Sequence, residues 1–123
     1  MNSRRDIDII KKMAEYCNEI SETVEFFGDS FELLSSNKIY KNAVAMCILQ
    51  IGELAGHLSD DFKAIHSEMP WQDMKSMRNV AAHGYGKLDL EMLWGTITTN
   101  IPGLWEFCAR VVEQEVSAEP DKQ

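Results

Sequence analysis

Met77-Arg78-Asn79-Val80-Ala81-Ala82-His83-Gly84-Tyr85-Gly86 is the stretch around which the chain is organised. It sets an arginine, an amide, a histidine and a tyrosine into a run of small and apolar residues. Upstream, Met69-Pro70-Trp71 opens a helix, because proline lacks only an N–H that would go unpaired in the first turn. Downstream, Gly84 and Gly86 close it, glycine being the residue that accepts the left-handed geometry of a helix end. The predicted helix therefore runs from about Pro70 to His83, with Met74, Met77, Val80 and Ala81 on its buried side. Asn79 and His83 stand four apart and share a face. Arg78 and His83 stand five apart, about 140° around the axis, and flank a surface.

Outward from this segment the chain reads as helices throughout. Ser3 caps a first helix to about Phe27, whose apolar stripe is Ile7, Ile10, Met13, Cys17, Ile20, Val24 and Phe27. Gly28-Asp29-Ser30 ends it. Phe31 to Asn37 is a short helical turn, with Ser36 or Asn37 as the cap of the next helix. That helix spans about Lys38 to Leu58, with Tyr40, Val44, Cys47, Ile48, Ile51, Leu54 and Leu58 in its stripe. Gly52 and Gly56 lie inside it; interior glycines cost about 1 kcal/mol each, which calls for a packing reason. Ser59 caps a short helix containing Phe62, Ile65 and His66. Asp89 opens the last helix, which runs through Leu93, Ile97, Ile101, Leu104, Cys108, Val111 and Val112. Pro102 removes one of its hydrogen bonds, so a kink is expected there. The methionines, Trp94 and Trp105 read as core. Amphipathic helices on short loops give an all-α fold, a small antiparallel bundle. One domain over residues 1–115 and a polar, disordered tail over 116–123 are expected.

The chain has 123 residues and 45% hydrophobic residues, enough for a single core. No apolar run approaches the roughly 20 residues of a membrane span, and the N-terminus lacks the apolar segment of a signal peptide. A cytoplasmic protein without membrane association is expected. Cys17, Cys47 and Cys108 each fall within an apolar helical pattern and form no Cys-x-x-Cys pair, so they read as buried free thiols. The net charge is −8, against a generic nucleic-acid binder, which would present a basic patch. Lys75, Arg78 and Lys87 make the central segment locally basic, and a cationic cleft on an acidic protein fits this pattern. His57 and His66 read as surface histidines, lacking neighbours at metal-ligand spacing. No metal and no cofactor is expected.

The central segment holds the parts for cleaving a phosphodiester. The free carbonyls at a helix C-terminus favour a protonated imidazole, and a histidine near neutral pKa can give or take a proton. An arginine is a permanent forked cation for a phosphate or a developing oxyanion. On spacing alone, an Arg/His pair near a helix end is more often a helix cap with a surface ion pair than a catalytic site. Glu53 likewise reads as a functional carboxylate or an exposed helix acid, and Tyr85 as an accessible hydroxyl or a ring packed on the helix end.

Arg78-Asn79-Val80-Ala81-Ala82-His83-Gly84-Tyr85 resembles the Arg-x4-His-x-Tyr signature of the HEPN superfamily, in its HepT-like toxin branch. Ile51-Gly52-Glu53-Leu54-Ala55 resembles that branch's IGEAA segment. Pro70-Trp71 resembles its PW, and Asp89 to Trp94 its D-L-x-x-x-W. Pro102-Gly103-Leu104 sits where the branch carries LP-x-L. The similarity runs from about Ile7 to Val112. It implies a metal-independent endoribonuclease toxin, a homodimer in which two signature helices form one cleft on an RNA substrate. In that scheme His83 is the general acid/base, Arg78 stabilises phosphoryl charge, and Asn79 orients His83 or binds the backbone. The resemblance also implies a cognate partner, a minimal nucleotidyltransferase antitoxin that adenylylates Tyr85. The alternative is a non-catalytic helical subunit that binds such a nucleotidyltransferase; the acidic charge favours it.

Overall fold

The computed structural model describes residues 3–82 and 90–118, with side chains except at positions 77, 79–82 and 118. Among these residues every regular element is helical. In order they are α1 (Arg4–Phe27), α2 (Phe31–Ser36), α3 (Lys38–His57), α4 (Asp60–Ile65), α5 (Trp71–Ala82), α6 (Leu90–Gly95) and α7 (Ile101–Ala118). A π-helical turn over Thr96–Asn100 joins α6 to α7, making one long kinked final helix.

Short polar residues start these helices by accepting from orphan backbone N–H groups. Ser3 accepts from Asp6 N, Ser30 from Leu33 N and Ser59 from Phe62 N. Of the two candidate caps before α3, Asn37 is the one used: its Oδ1 accepts from Ile39 N at 2.9 Å and Tyr40 N at 3.1 Å. Gly28 ends α1 at φ 116°, a conformation that favours glycine. Its carbonyl then accepts from the Tyr40 hydroxyl at 2.9 Å, locking the α1 end to α3. Pro70 is one place earlier than the sequence suggests: its carbonyl accepts from Met74 N, so it precedes the helix that Trp71 begins.

α3 is the central helix. It packs against α1 on one side and α5 on the other, and α7 closes the far side of α1. The stripes read from periodicity supply this core, with Ile7, Ile10, Met13, Cys17 and Ile20 meeting Tyr40, Val44, Ile48 and Ile51. Cys17, Cys47 and Cys108 are buried free thiols, and burial pushes each up to about 12. Not every methionine is core. Met13 and Met74 are buried, while Met46 and Met92 are exposed.

The kink has a local cause. Pro102 cannot donate to the carbonyl four residues back. The helix widens instead, and Ile101 N bonds Thr96 O, five residues back. Thr96 and Thr98 hydroxyls donate to the carbonyls of Met92 and Trp94, both at 2.9 Å, a back-bonding that also bends helices. α7 continues through Ala118, so Val116 and Ser117 are helical.

One buried charge ties distant segments together. Asp6 accepts from Ser59 N at 2.9 Å, from the Ser59 hydroxyl at 2.6 Å and from the Ser3 hydroxyl at 2.9 Å. Burial pushes its carboxyl up, but these hydrogen bonds and Arg5 outweigh it and hold the group below its usual range.

Candidate active site at the α3–α5 contact

Gly52 sets the geometry. A Cβ there would stand 2.8 Å from Arg78 Cβ, 3.1 Å from Arg78 N and 3.1 Å from Met74 O. These are backbone and near-backbone atoms of α5, which cannot rotate away. The glycine therefore lets α5 press onto α3 at the level of Arg78. Gly56, one turn on, has no atom of the described residues within 4 Å of its would-be Cβ. Ala55, between them, is buried in the core. The small residues of α3 thus serve contacts within the chain at positions 52 and 55, and Gly56 meets none of the described residues.

Beside this contact the two charged candidates meet. Arg78 Nε lies 3.0 Å from Glu53 Oε1, and the side chains are 45% and 42% exposed. The pair is a bridge between two helices at the protein surface, with the guanidinium accessible to a ligand. Lys75, one turn before Arg78, is exposed, as is Asp73. Glu53 therefore stands next to Arg78, a neighbourhood invisible in a sequence that separates them by 25 positions. α5 runs to Ala82, the residue before His83. Asn79 lies on α5, and its side chain is outside the described residues, as are His83, Tyr85, Lys87 and the predicted caps Gly84, Gly86 and Asp89.

His66 departs from the surface position expected of it. Its side chain is only 15% exposed. Its ring lies 4.5 Å from that of Phe62 and 5.3 Å from that of Phe107, and its carbonyl accepts from the Trp71 indole at 3.0 Å. Among the described residues its Nε2 is buried without a hydrogen-bond partner. His66 is part of an aromatic cluster that anchors the start of α5 to α7. His57, at the end of α3, is exposed as expected. Among the described residues no three His, Cys, Asp or Glu side chains are arranged to hold a metal ion.

Cavities lie beside the core among the described residues. One, of about 310 Å³, lies between α1 and the kinked helix and is lined by Ser21, Asp29, Thr98 and Trp105 among others. The second, of about 550 Å³, lies between α5 and the π-helical turn, against Met69, Asp73, Met74, Met92 and Asn100. Neither is lined by Arg78 or Glu53. No helix among the described residues is long and apolar enough to cross a membrane.

Comparison with known proteins adds a family-level finding. Residues 13–111 match the model of the "Ribonuclease HepT-like" family. A protein of Thermococcus cleftensis named "Probable ribonuclease HepT" is 33% identical over 73% of this chain and 86% of its own length. A protein of Methanocaldococcus jannaschii, named as a candidate RNase, is 26% identical over 81% of this chain and 91% of its own. Another candidate RNase, from Caldanaerobacter subterraneus subsp. tengcongensis, is 26% identical over 86% of this chain and 93% of its own. No solved structure matches the chain.

Proposed function

Because the chain belongs to the HepT-like ribonuclease family, we propose that it is a metal-independent endoribonuclease toxin, active as a homodimer and silenced by adenylylation of Tyr85. The observation that carries the reading is Arg78 itself. The motif arginine is a solvent-accessible guanidinium on α5, braced against α3 where Gly52 brings the two helices together.

The chemistry follows from the residue types. His83 removes the proton of a ribose 2′-hydroxyl. The oxygen attacks the adjacent phosphorus, and the P–O5′ bond breaks. A protonated imidazole in the composite cleft returns a proton to the departing 5′-oxygen. The products are a 2′,3′-cyclic phosphate and a free 5′-hydroxyl. Arg78 stabilises the charge that grows on the non-bridging oxygens, as a preorganised cation does in a cleft. Asn79 orients His83 or holds the RNA backbone.

Control falls to Tyr85, two residues from His83. An adenylyl group on its hydroxyl brings a bulky base and one negative charge to the mouth of the cleft. The charge competes with RNA phosphate for Arg78, and the bulk blocks His83. Tyr40 is an unsuitable acceptor, because it is fully buried and its hydroxyl is engaged with Gly28. The net charge of −8 favours a second reading, a non-catalytic subunit that binds a nucleotidyltransferase. Inducible expression of the wild type and of His83→Ala, followed by sequencing of RNA ends, separates the two. New 5′-hydroxyl ends with the wild type alone support the ribonuclease. Identical RNA ends in both cultures support the binding subunit.

A further inference from the structure

We propose that Glu53 is a positioning residue for RNA cleavage: it holds the Arg78 guanidinium in its working orientation, and it does so at the expense of RNA affinity. This rests on the ribonuclease reading above. Three observations lead to it. The ion pair is made at Nε, at 3.0 Å. Nε is the atom whose anchoring fixes the plane of the guanidinium, and the remaining four N–H groups, on Nη1 and Nη2, are the fork that suits a phosphate. The backbone of Arg78 is fixed as well, because Gly52, the neighbour of Glu53 in sequence, packs directly on Arg78 Cβ and N. One dipeptide of α3 thus sets both ends of the arginine side chain.

The third observation concerns what the arrangement is for. Both partners are nearly half exposed, and ion pairs of that kind add little to stability. A weakly stabilising pair is poorly explained as a brace for the fold, whose close α3–α5 contact is already made at Gly52. It is well explained as orientation. A free arginine samples many rotamers, and selecting one before the phosphate arrives removes reorganisation from the chemical step. The carboxylate also carries a binding cost. It puts a negative charge beside the phosphate site of a protein whose net charge is already −8, and repulsion opposes a polyanion.

These two effects have opposite signs, which makes the inference testable. The measurement is steady-state cleavage of a fluorophore–quencher RNA oligonucleotide of mixed sequence by the full chain, with folding checked by circular dichroism. For Glu53→Ala, kcat is expected to fall about 10-fold to 100-fold, the scale of a misplaced catalytic group, while KM stays level or falls. Glu53→Gln keeps an acceptor oxygen for Nε and is expected to lose less turnover than Glu53→Ala. Added acetate should restore part of the activity of Glu53→Ala and none to Arg78→Ala. If Glu53→Ala fails to fold, Glu53→Gln and Glu53→Asp carry the same kcat and KM comparison. An unchanged or raised kcat in the Glu53 variants, with Arg78→Ala inactive, overturns the positioning role and leaves the ribonuclease reading intact. Wild-type turnover in Arg78→Ala, or no cleavage by the wild type, overturns the reading beneath it and the proposal with it.

Discussion

The two glycines of α3 offer a direct measure of the contact that holds the site. Alanine gains helix propensity at both, about 1 kcal/mol at the interior Gly52 and less at Gly56, the penultimate residue of the helix. The surroundings differ. At Gly56 the new methyl meets none of the described residues within 4 Å, so Gly56→Ala should stabilise the protein by about 0.5 kcal/mol. At Gly52 it meets Arg78 Cβ at 2.8 Å and two backbone atoms of α5 at 3.1 Å. Relief requires α5 to move as a body, and overpacking of this kind costs about 1–3 kcal/mol. The difference between the two variants therefore reports chiefly the packing cost at Gly52, about 1–3 kcal/mol. Urea unfolding followed by helical circular dichroism measures it, with both variants compared at matched slope. In RNA cleavage, Gly56→Ala should match the wild type and Gly52→Ala should fall well below it, because the shifted helix carries Arg78. A Gly52→Ala protein as stable as Gly56→Ala would refute the close α3–α5 approach.

Other perturbations follow from the same contacts. Asp6 has a depressed folded-state pKa, so its stabilisation is complete above the unfolded value near 4 and is lost as pH falls through the lower folded value; Asp6→Asn should cost about 1.5–3 kcal/mol at pH 7 and flatten the acid limb of a stability–pH curve. Phe107→Ala, which empties a site buried against His66 and Trp71, should cost about 3–5 kcal/mol in urea unfolding. Protein co-expressed with a cognate nucleotidyltransferase should carry an adenylyl adduct on Tyr85 by mass spectrometry, and Tyr85→Phe should escape silencing; adducts confined to Tyr16 or Tyr40 would refute that assignment.

Local chemistry made most of the fold legible. The stripes of α1 and α3 follow the helical period, and Ser3, Asn37 and Ser59 are capping residues that cap. Phe107 sits three residues after Leu104 on the same face, so the period already marks it as core beside Cys108. His66 carries a similar signal, one turn after Phe62. Pro102 located the kink, but its relief by a π turn depends on how the preceding carbonyls find donors, which no residue pattern states. Non-local pairings were out of reach. The reach of Asp6 to Ser59 crosses 53 positions, and the meeting of Glu53 with Arg78 depends on how α5 lies across α3. Gly52 was conspicuous as an interior glycine, yet only the packed structure shows that its partner is the signature arginine. Of the motif residues, Arg78 alone has a described side chain; its companions rest on the signature.

The central claim is that Arg78 and His83 cleave RNA without a metal. The measurement that tests it most directly is incubation of purified protein with RNA in excess chelator, with the product ends analysed by mass spectrometry. The wild type should give 2′,3′-cyclic phosphate and 5′-hydroxyl ends, and His83→Ala and Arg78→Ala should each lose cleavage by at least about 100-fold, the range of acid–base and electrostatic contributions. Cleavage abolished by the chelator, or retained at the wild-type rate in either variant, would contradict it.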